Sequence, residues 1–160
     1  LVGLIKNRDM VRYIEKGDIF RLEGVTSYAH GCNCAGAMGK GIAVSFKQRL
    51  PEMYAEYKEL CRNGQFKPGD VFDYDYGIGH VYNLGTQQTW RTRARLEYIE
   101  QSVARMMEMS SSEGVQKIAM PAIGAGLGGL RWADVRDVIE KAAGSNPSVE
   151  LIVVENYSPE

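Results

Sequence analysis

Apolar residues recur along this chain with two periods, and the change from one to the other marks its elements. Alternation over residues 11–15 predicts a strand, broken by Lys16-Gly17-Asp18-Ile19-Phe20, a turn in which a glycine is followed by an acid. Residues 25–30 read as a second strand. Helical spacing follows through Ile42, Phe46 and Leu50, so residues 42–50 are predicted to form a helix. Pro51 opens another, with Met53, Tyr54, Tyr57, Leu60 and Cys61 on one face and Asn63-Gly64 as its stop. Residues 71–74 and 80–84, joined by Tyr76-Gly77-Ile78-Gly79, form the clearest hairpin. Residues 92–110 predict a long amphipathic helix carrying Leu96, Ile99, Val103 and Met106 to the core. A buried strand over 117–123, a helix over 132–143 ended by Gly144, and a last strand over 149–155 complete the pattern. Strands alternating with helices around one antiparallel hairpin predict an α/β fold, a three-layer α/β/α sandwich with a mixed, mostly parallel central sheet.

The 160 residues, 44% of them hydrophobic, suit one domain with one core. It is expected over residues 11–160, with residues 1–10 an extension that has no clear periodicity and Met10 a natural start. Nineteen Lys and Arg against 20 Asp and Glu leave a formal charge of −1, and no run of five like charges occurs, which argues against a broad footprint for duplex nucleic acid. No apolar stretch approaches the roughly 20 residues of a membrane span, and the first residues lack a signal-peptide pattern. A soluble, cytoplasmic protein is expected, with no membrane partner. Three cysteines, Cys32-x-Cys34 and a lone Cys61, match neither a zinc site nor a disulfide framework, so reduced thiols and no metal are expected.

Glycine changes the picture. Eighteen residues of 160 exceed the usual share of about 7%. Eight fall in two short segments, 31–41 and 124–129, each between a predicted strand and a predicted helix. Glycine lacks the Cβ that would hold a phosphate away from the main chain, and its positive φ angles let successive N–H groups turn toward an anion. The run Gly124-Ala125-Gly126-Leu127-Gly128-Gly129 formally matches GxGxxG. It lies near the C-terminus, with one strand after it and no acid about 20 residues on at a strand end, which excludes the dinucleotide-dehydrogenase reading. Two such loops at the carboxyl ends of strands can face each other across one crevice, where a ligand with two phosphates and a group at each end would fit.

Lys16-Gly17-Asp18-Ile19, Ala29-His30-Gly31-Cys32-Asn33-Cys34, Met38-Gly39-Lys40-Gly41-Ile42-Ala43 and Met120-Pro121-Ala122-Ile123-Gly124-Ala125-Gly126-Leu127-Gly128-Gly129-Leu130-x-Trp132 together resemble the macro domain over nearly the whole chain. The chain is most similar to the branch containing the terminal ADP-ribose protein glycohydrolase, the DNA-ADP-ribosylation antitoxins and the yeast ADP-ribose-1″-phosphate phosphatase. The resemblance implies that the chain binds ADP-ribose, free or on a modified protein or nucleic acid; no cofactor is expected, and the oligomeric state, for which a monomer is the expectation, is not fixed by the sequence. It assigns Asp18 to the adenine amino hydrogen and the Ile19 N–H to the ring. Gly39, Lys40, Gly41, Ile42 and Ala43, after Met38, would wrap the diphosphate and distal ribose together with Ile123, Gly124, Ala125, Gly126 and Leu127. Thr86, Pro121, Ala122 and Gly128 would line the cleft, and residues 154–157, with Asn156, would flank the adenine. Asn33 would point at the distal ribose, suited to vicinal hydroxyls by its mixed donors and acceptors; a loop-stabilising asparagine is the alternative.

The resemblance also breaks. Related glycohydrolases use a lysine just after the hairpin strand as a covalent nucleophile, and one has an acid in the second glycine loop. Those positions hold Gln87 and Gly128. Neither can form an imine or accept a proton. The implied hydrolysis, of ester-linked ADP-ribose or of the phosphate of ADP-ribose-1″-phosphate, is then a water attack positioned by the bound phosphate, with Asn33, His30 and Gln87 as the catalytic candidates and His30 as the general base. His80 is expected to be structural. A non-catalytic reader of ADP-ribose is the alternative. A further one is a binder of single-stranded RNA or poly(ADP-ribose) using Trp90, Arg91, Arg93 and Arg95.

Overall fold

A computed structural model describes residues 11–144 and 146–160; the expected extension at 1–10 lies outside the described residues. Six strands form one sheet: β1 (Val11–Gly17), β2 (Tyr28–Asn33), β3 (Val71–Asp75), β4 (His80–Gln87), β5 (Lys117–Pro121) and β6 (Glu150–Tyr157). Four helices, α1 (Ile42–Arg49), α2 (Pro51–Arg62), α3 (Leu96–Ser112) and α4 (Trp132–Ala143), cover it. The strand order is β1-β6-β5-β2-β4-β3, parallel throughout except for the β3–β4 hairpin. The three-layer mixed sandwich read from the sequence is thus the observed fold.

Side-chain alternation along the strands divides the interior in two. Ile118 and Met120 of β5 and Leu151 and Val153 of β6 point to the face covered by α3 and α4, where Ile99, Val103, Met106, Val135 and Ile139 complete one core. Ala119, Ile152 and Val154 point the other way, against Phe46 of α1 and Met53 and Tyr57 of α2. All of these are essentially inaccessible to solvent, which explains the almost continuous apolar runs of the central strands.

Most boundaries shift by a few residues from the sequence pattern, and three of the shifts have a local reason. Strand β2 begins at Tyr28 because residues before it close a turn, Val25 N–H donating to the Leu22 carbonyl and the Tyr28 hydroxyl to the Val25 carbonyl. Its far end runs on to Asn33, since Gly31 and Cys32 keep register with Leu84 and Gly85 of β4. Helix α3 begins at Leu96, four residues late, because Thr89 and Thr92 exchange side-chain and main-chain hydrogen bonds that close a turn of their own.

Candidate functional site

The carboxyl ends of β2, β4 and β5 bring together the segments that the sequence left far apart. A side chain at Gly31 would meet Thr86 Oγ1 at 3.1 Å and Ile123 Cβ at 3.5 Å, so the three strand ends touch where the two glycine-rich loops depart. Further out, a Cβ on Gly41 would lie 3.7 Å from Leu127 Cδ1, so the two loops face each other. Both use glycine where the main chain requires it: φ is +64° at Gly41 and +75° at Gly124. Gly39 and Gly126 have no neighbour within 4 Å of where a Cβ would start, and Leu127 is 70% exposed. Gly41 is the N-cap of α1, and no side chain caps that helix. Its amino-terminal N–H groups are available to an anion.

The first loop is built around Asn33. Its Oδ1 accepts from Ala35 N–H at 3.0 Å, from Ala37 N–H at 3.3 Å and from the Tyr57 hydroxyl at 3.0 Å, while its Nδ2 donates to the Ala37 carbonyl at 2.9 Å. The expected ribose ligand is therefore a loop scaffold: its acceptor is fully used and one amide hydrogen is left. Met38 is buried beneath the loop, whereas Gly39, Lys40 and Gly41 are exposed and Ile42 and Ala43 are half-buried.

The second loop is held by main chain. Leu130 N–H donates to the Gly124 carbonyl, Gly129 N–H to Gly126, and Ala94 N–H reaches across to Gly128. Gly128 is packed so closely that a Cβ would stand 2.6 Å from the Gly124 oxygen and 2.9 Å from Ala94 Cβ. An acid cannot be accommodated there without moving the loop, which gives the departure seen in the sequence a structural cause. Pro121, Ala122, Gly124 and Ala125 are half-buried, and Ile123 is buried.

The catalytic candidates are tied up. His30 is wholly buried, stacked on Phe46 at a centroid distance of 4.2 Å, with Nε2 2.7 Å from Asn83 Oδ1. Burial, only partly opposed by the Asn83 hydrogen bond, lowers its pKa to about 4. The expected general base is thus a neutral core group with no access to the cleft. Cys32 Sγ lies 3.5 Å from the same nitrogen, a pairing that sequence reasoning missed because both residues alternate to one interior. Burial raises the Cys32 thiol and pushes Cys34 up to about 12, so no thiolate nucleophile forms. Gln87 folds into the next turn, its amide donating to the carbonyls of Thr89 and Thr92 at 2.8 and 2.9 Å. Thr86 is buried and donates to the Cys32 carbonyl.

At the β1 end, Asp18 is 3% exposed, and its two carboxylate oxygens accept from Phe20 N–H at 2.9 Å and from Glu160 N–H at 3.0 Å. Ile19 beside it is buried. Asn156 is exposed and donates to the Glu15 carbonyl, and Tyr157 sets its ring edge-on to Phe20 at 6.2 Å.

The opposite end of the sheet holds a second titratable group. His80 Nδ1 is 2.7 Å from Asp73 Oδ1 and 3.7 Å from Glu113 Oε2, while the Tyr82 hydroxyl donates to Glu113. Burial alone would lower the His80 pKa, but the hydrogen bond and charge of Asp73, with the charges of Glu113 and Asp75, raise it overall. Stacked on Tyr82, His80 is held structurally, as expected.

Paired glycine-rich cradles across the carboxyl ends of a mixed sheet define an anion-binding α/β domain. The comparison with known proteins is specific. The profile of the Macro domain family matches residues 29–139, and the chain belongs to that family. It is 33% identical over 150 residues to the DNA ADP-ribosyl glycohydrolase of Thermus aquaticus, covering 91% of this chain and 41% of that protein. It is 27% identical over 147 residues to the ADP-ribose 1″-phosphate phosphatase of Lodderomyces elongisporus, covering 82% of this chain and 91% of that one. The macrodomain of Mycobacterium tuberculosis DarG superposes with a TM-score of 0.83 at 32% identity, over 94% of this chain and 98% of the other. The chain spans about 40% of the length of the DNA ADP-ribosyl glycohydrolases that it matches. Among the described residues, no helix is long and apolar enough to cross a membrane.

Proposed function

We propose that this macro domain holds ADP-ribose between its two glycine-rich loops and hydrolyses its bond at the distal ribose without a covalent enzyme intermediate. The observation that carries the reading is the meeting of the loops at Gly41 and Leu127 over a floor of Gly31, Thr86 and Ile123; the absence of a covalent step rests on Gln87 and Gly128 standing where the family resemblance implies a lysine and an acid. The relatives named above bracket the chemistry: removal of ADP-ribose from a macromolecule, or of phosphate from ADP-ribose-1″-phosphate. For an ester-linked substrate, a water oxygen bonds to the anomeric carbon and the bond to the ester oxygen breaks. The leaving carboxylate takes the electron pair, and the surplus proton passes to solvent. The protein contributes orientation and fixed N–H dipoles aimed at the diphosphate.

A reader that binds without turnover is the second reading. It is favoured by one specific observation, that His30 is buried against Asn83 while Asn33 and Gln87 use their amides to hold their own loops. A panel of ester-, glycoside- and phosphate-linked ADP-ribose substrates separates the two. Release from one class, with no ADP-ribose mass on the protein after borohydride trapping, is the expected outcome. A trapped adduct overturns the mechanism, and inactivity on every linkage with retained ADP-ribose binding establishes the reader.

A further inference from the structure

The segment between β4 and α3 leaves on the surface chemistry that the cleft does not use. Residues 88–95 carry Arg91, Arg93 and Arg95 and no acid, in a chain whose formal charge is −1. Trp90 is 58% exposed, with the Arg91 guanidinium 4.6 Å over its ring. Arg95 pairs with Glu97, but among the described residues Arg91 and Arg93 have no carboxylate within 4.0 Å.

This segment is held rather than slack. Gln87 fastens the Thr89 and Thr92 carbonyls, the two threonines bind each other, Ala94 N–H donates to Gly128 and Arg95 N–H to Thr86. The indole is therefore presented at low ordering cost. The segment also borders the cleft: Arg93 Nε lies 3.3 Å from where a side chain on Gly129 would begin.

We propose that Trp90, Arg91 and Arg93 form a landing surface for single-stranded nucleic acid, which seats a strand beside the second glycine loop. An exposed flat ring stacks on an unpaired base of any identity, and two unpaired guanidinium groups meet the phosphates on either side. A duplex hides its base faces, and an acidic peptide would use the arginines while leaving the indole uncovered. This rests on the proposed function only for what the strand carries, an ADP-ribosyl group directed into the cleft.

The test titrates the full chain into labelled oligothymidine, the matching duplex and an acidic peptide, with ADP-ribose affinity measured separately by calorimetry. Expected results are a preference for the single strand, about 10-fold weaker binding for Trp90→Ala with most affinity kept by Trp90→Phe, and a log–log salt slope flattened by roughly 0.7 for each of Arg91→Gln and Arg93→Gln. Free ADP-ribose should bind all variants alike. Equal strand binding by every variant, or a preference for duplex or peptide, overturns the surface. Strand binding without ADP-ribose binding overturns the proposed function and leaves this surface standing.

Discussion

The two glycine-rich loops look alike in the sequence and are stabilised in opposite ways. The first hangs on side chains: Asn33 gathers two N–H groups and a carbonyl, and Tyr57 donates to both the Asn33 carbonyl at 2.7 Å and its Oδ1. The second hangs on its own main chain and on the absence of Cβ atoms at Gly124 and Gly128. A glycine-rich loop between strand and helix can thus be held by one amide and one phenol, or by main-chain hydrogen bonds and close packing. In the first loop, identity matters at the scaffold residues and is free at the exposed Gly39. In the second it matters at the glycines themselves.

The largest expected effect separates the surface of the second loop from its packing. Gly126 opens on empty space, so Gly126→Glu should fold normally while placing a carboxylate in the proposed phosphate cradle. Calorimetry should show a loss of at least about 100-fold in ADP-ribose affinity, about 2.7 kcal/mol; unchanged binding would remove the second loop from the cleft.

The floor of the first loop should betray itself by pH. His30 is neutral in the folded protein down to about pH 4, whereas unfolded histidine takes a proton near 6.5. Stability is then complete above pH 6.5 and declines as pH falls toward 4, by about 3 kcal/mol in all. The second loop contains no titratable group and contributes no such slope. Denaturant unfolding over that range should decline less steeply for His30→Gln than for the wild type; parallel profiles would mean that His30 reaches water.

Gly128→Ala should cost about 1–3 kcal/mol of stability, because the new methyl must displace a carbonyl at 2.6 Å or Ala94 at 2.9 Å. Thermal unfolding checks it, and a neutral result would show that the second loop is slack. The smallest effect falls on the first loop. Tyr57→Phe removes one hydroxyl that serves two acceptors of Asn33 and should lower stability by about 1 kcal/mol, with faster hydrogen exchange at Ala35 and Ala37 as the local readout.

Much of this was legible beforehand. Residues 132–143 show a clean helical period and form that helix without change, because its buried face, Val135, Ile139, Ala142 and Ala143, repeats at three and four residues. The glycines announced both loops, since positive φ and close approach restrict residue type directly. The role of His30 was not legible, and for Asn33 the sequence left ribose ligand and loop scaffold both open. A histidine at a strand end looks the same in sequence whether it faces a cleft or a phenylalanine ring, and only Phe46 and Asn83, each supplied from another element, decide between them. The Thr89–Thr92 turn that delays α3 was equally hidden, because hydroxyl bonds of that kind leave no periodic trace.

The strand order carries a consequence in time. Strand β1 pairs only with β6, Val11 opposite Leu151, so the first described strand waits on the last. About 140 residues separate the partners, and closing so long a loop brings no reward until both ends are in place. On the ribosome, β1 emerges early and stays an unpaired edge while β2 to β5 assemble. The half of the sheet that bears Asp18 is therefore finished after the half that bears the first glycine-rich loop, and a partly made chain can display that loop before it can offer Asp18 in place.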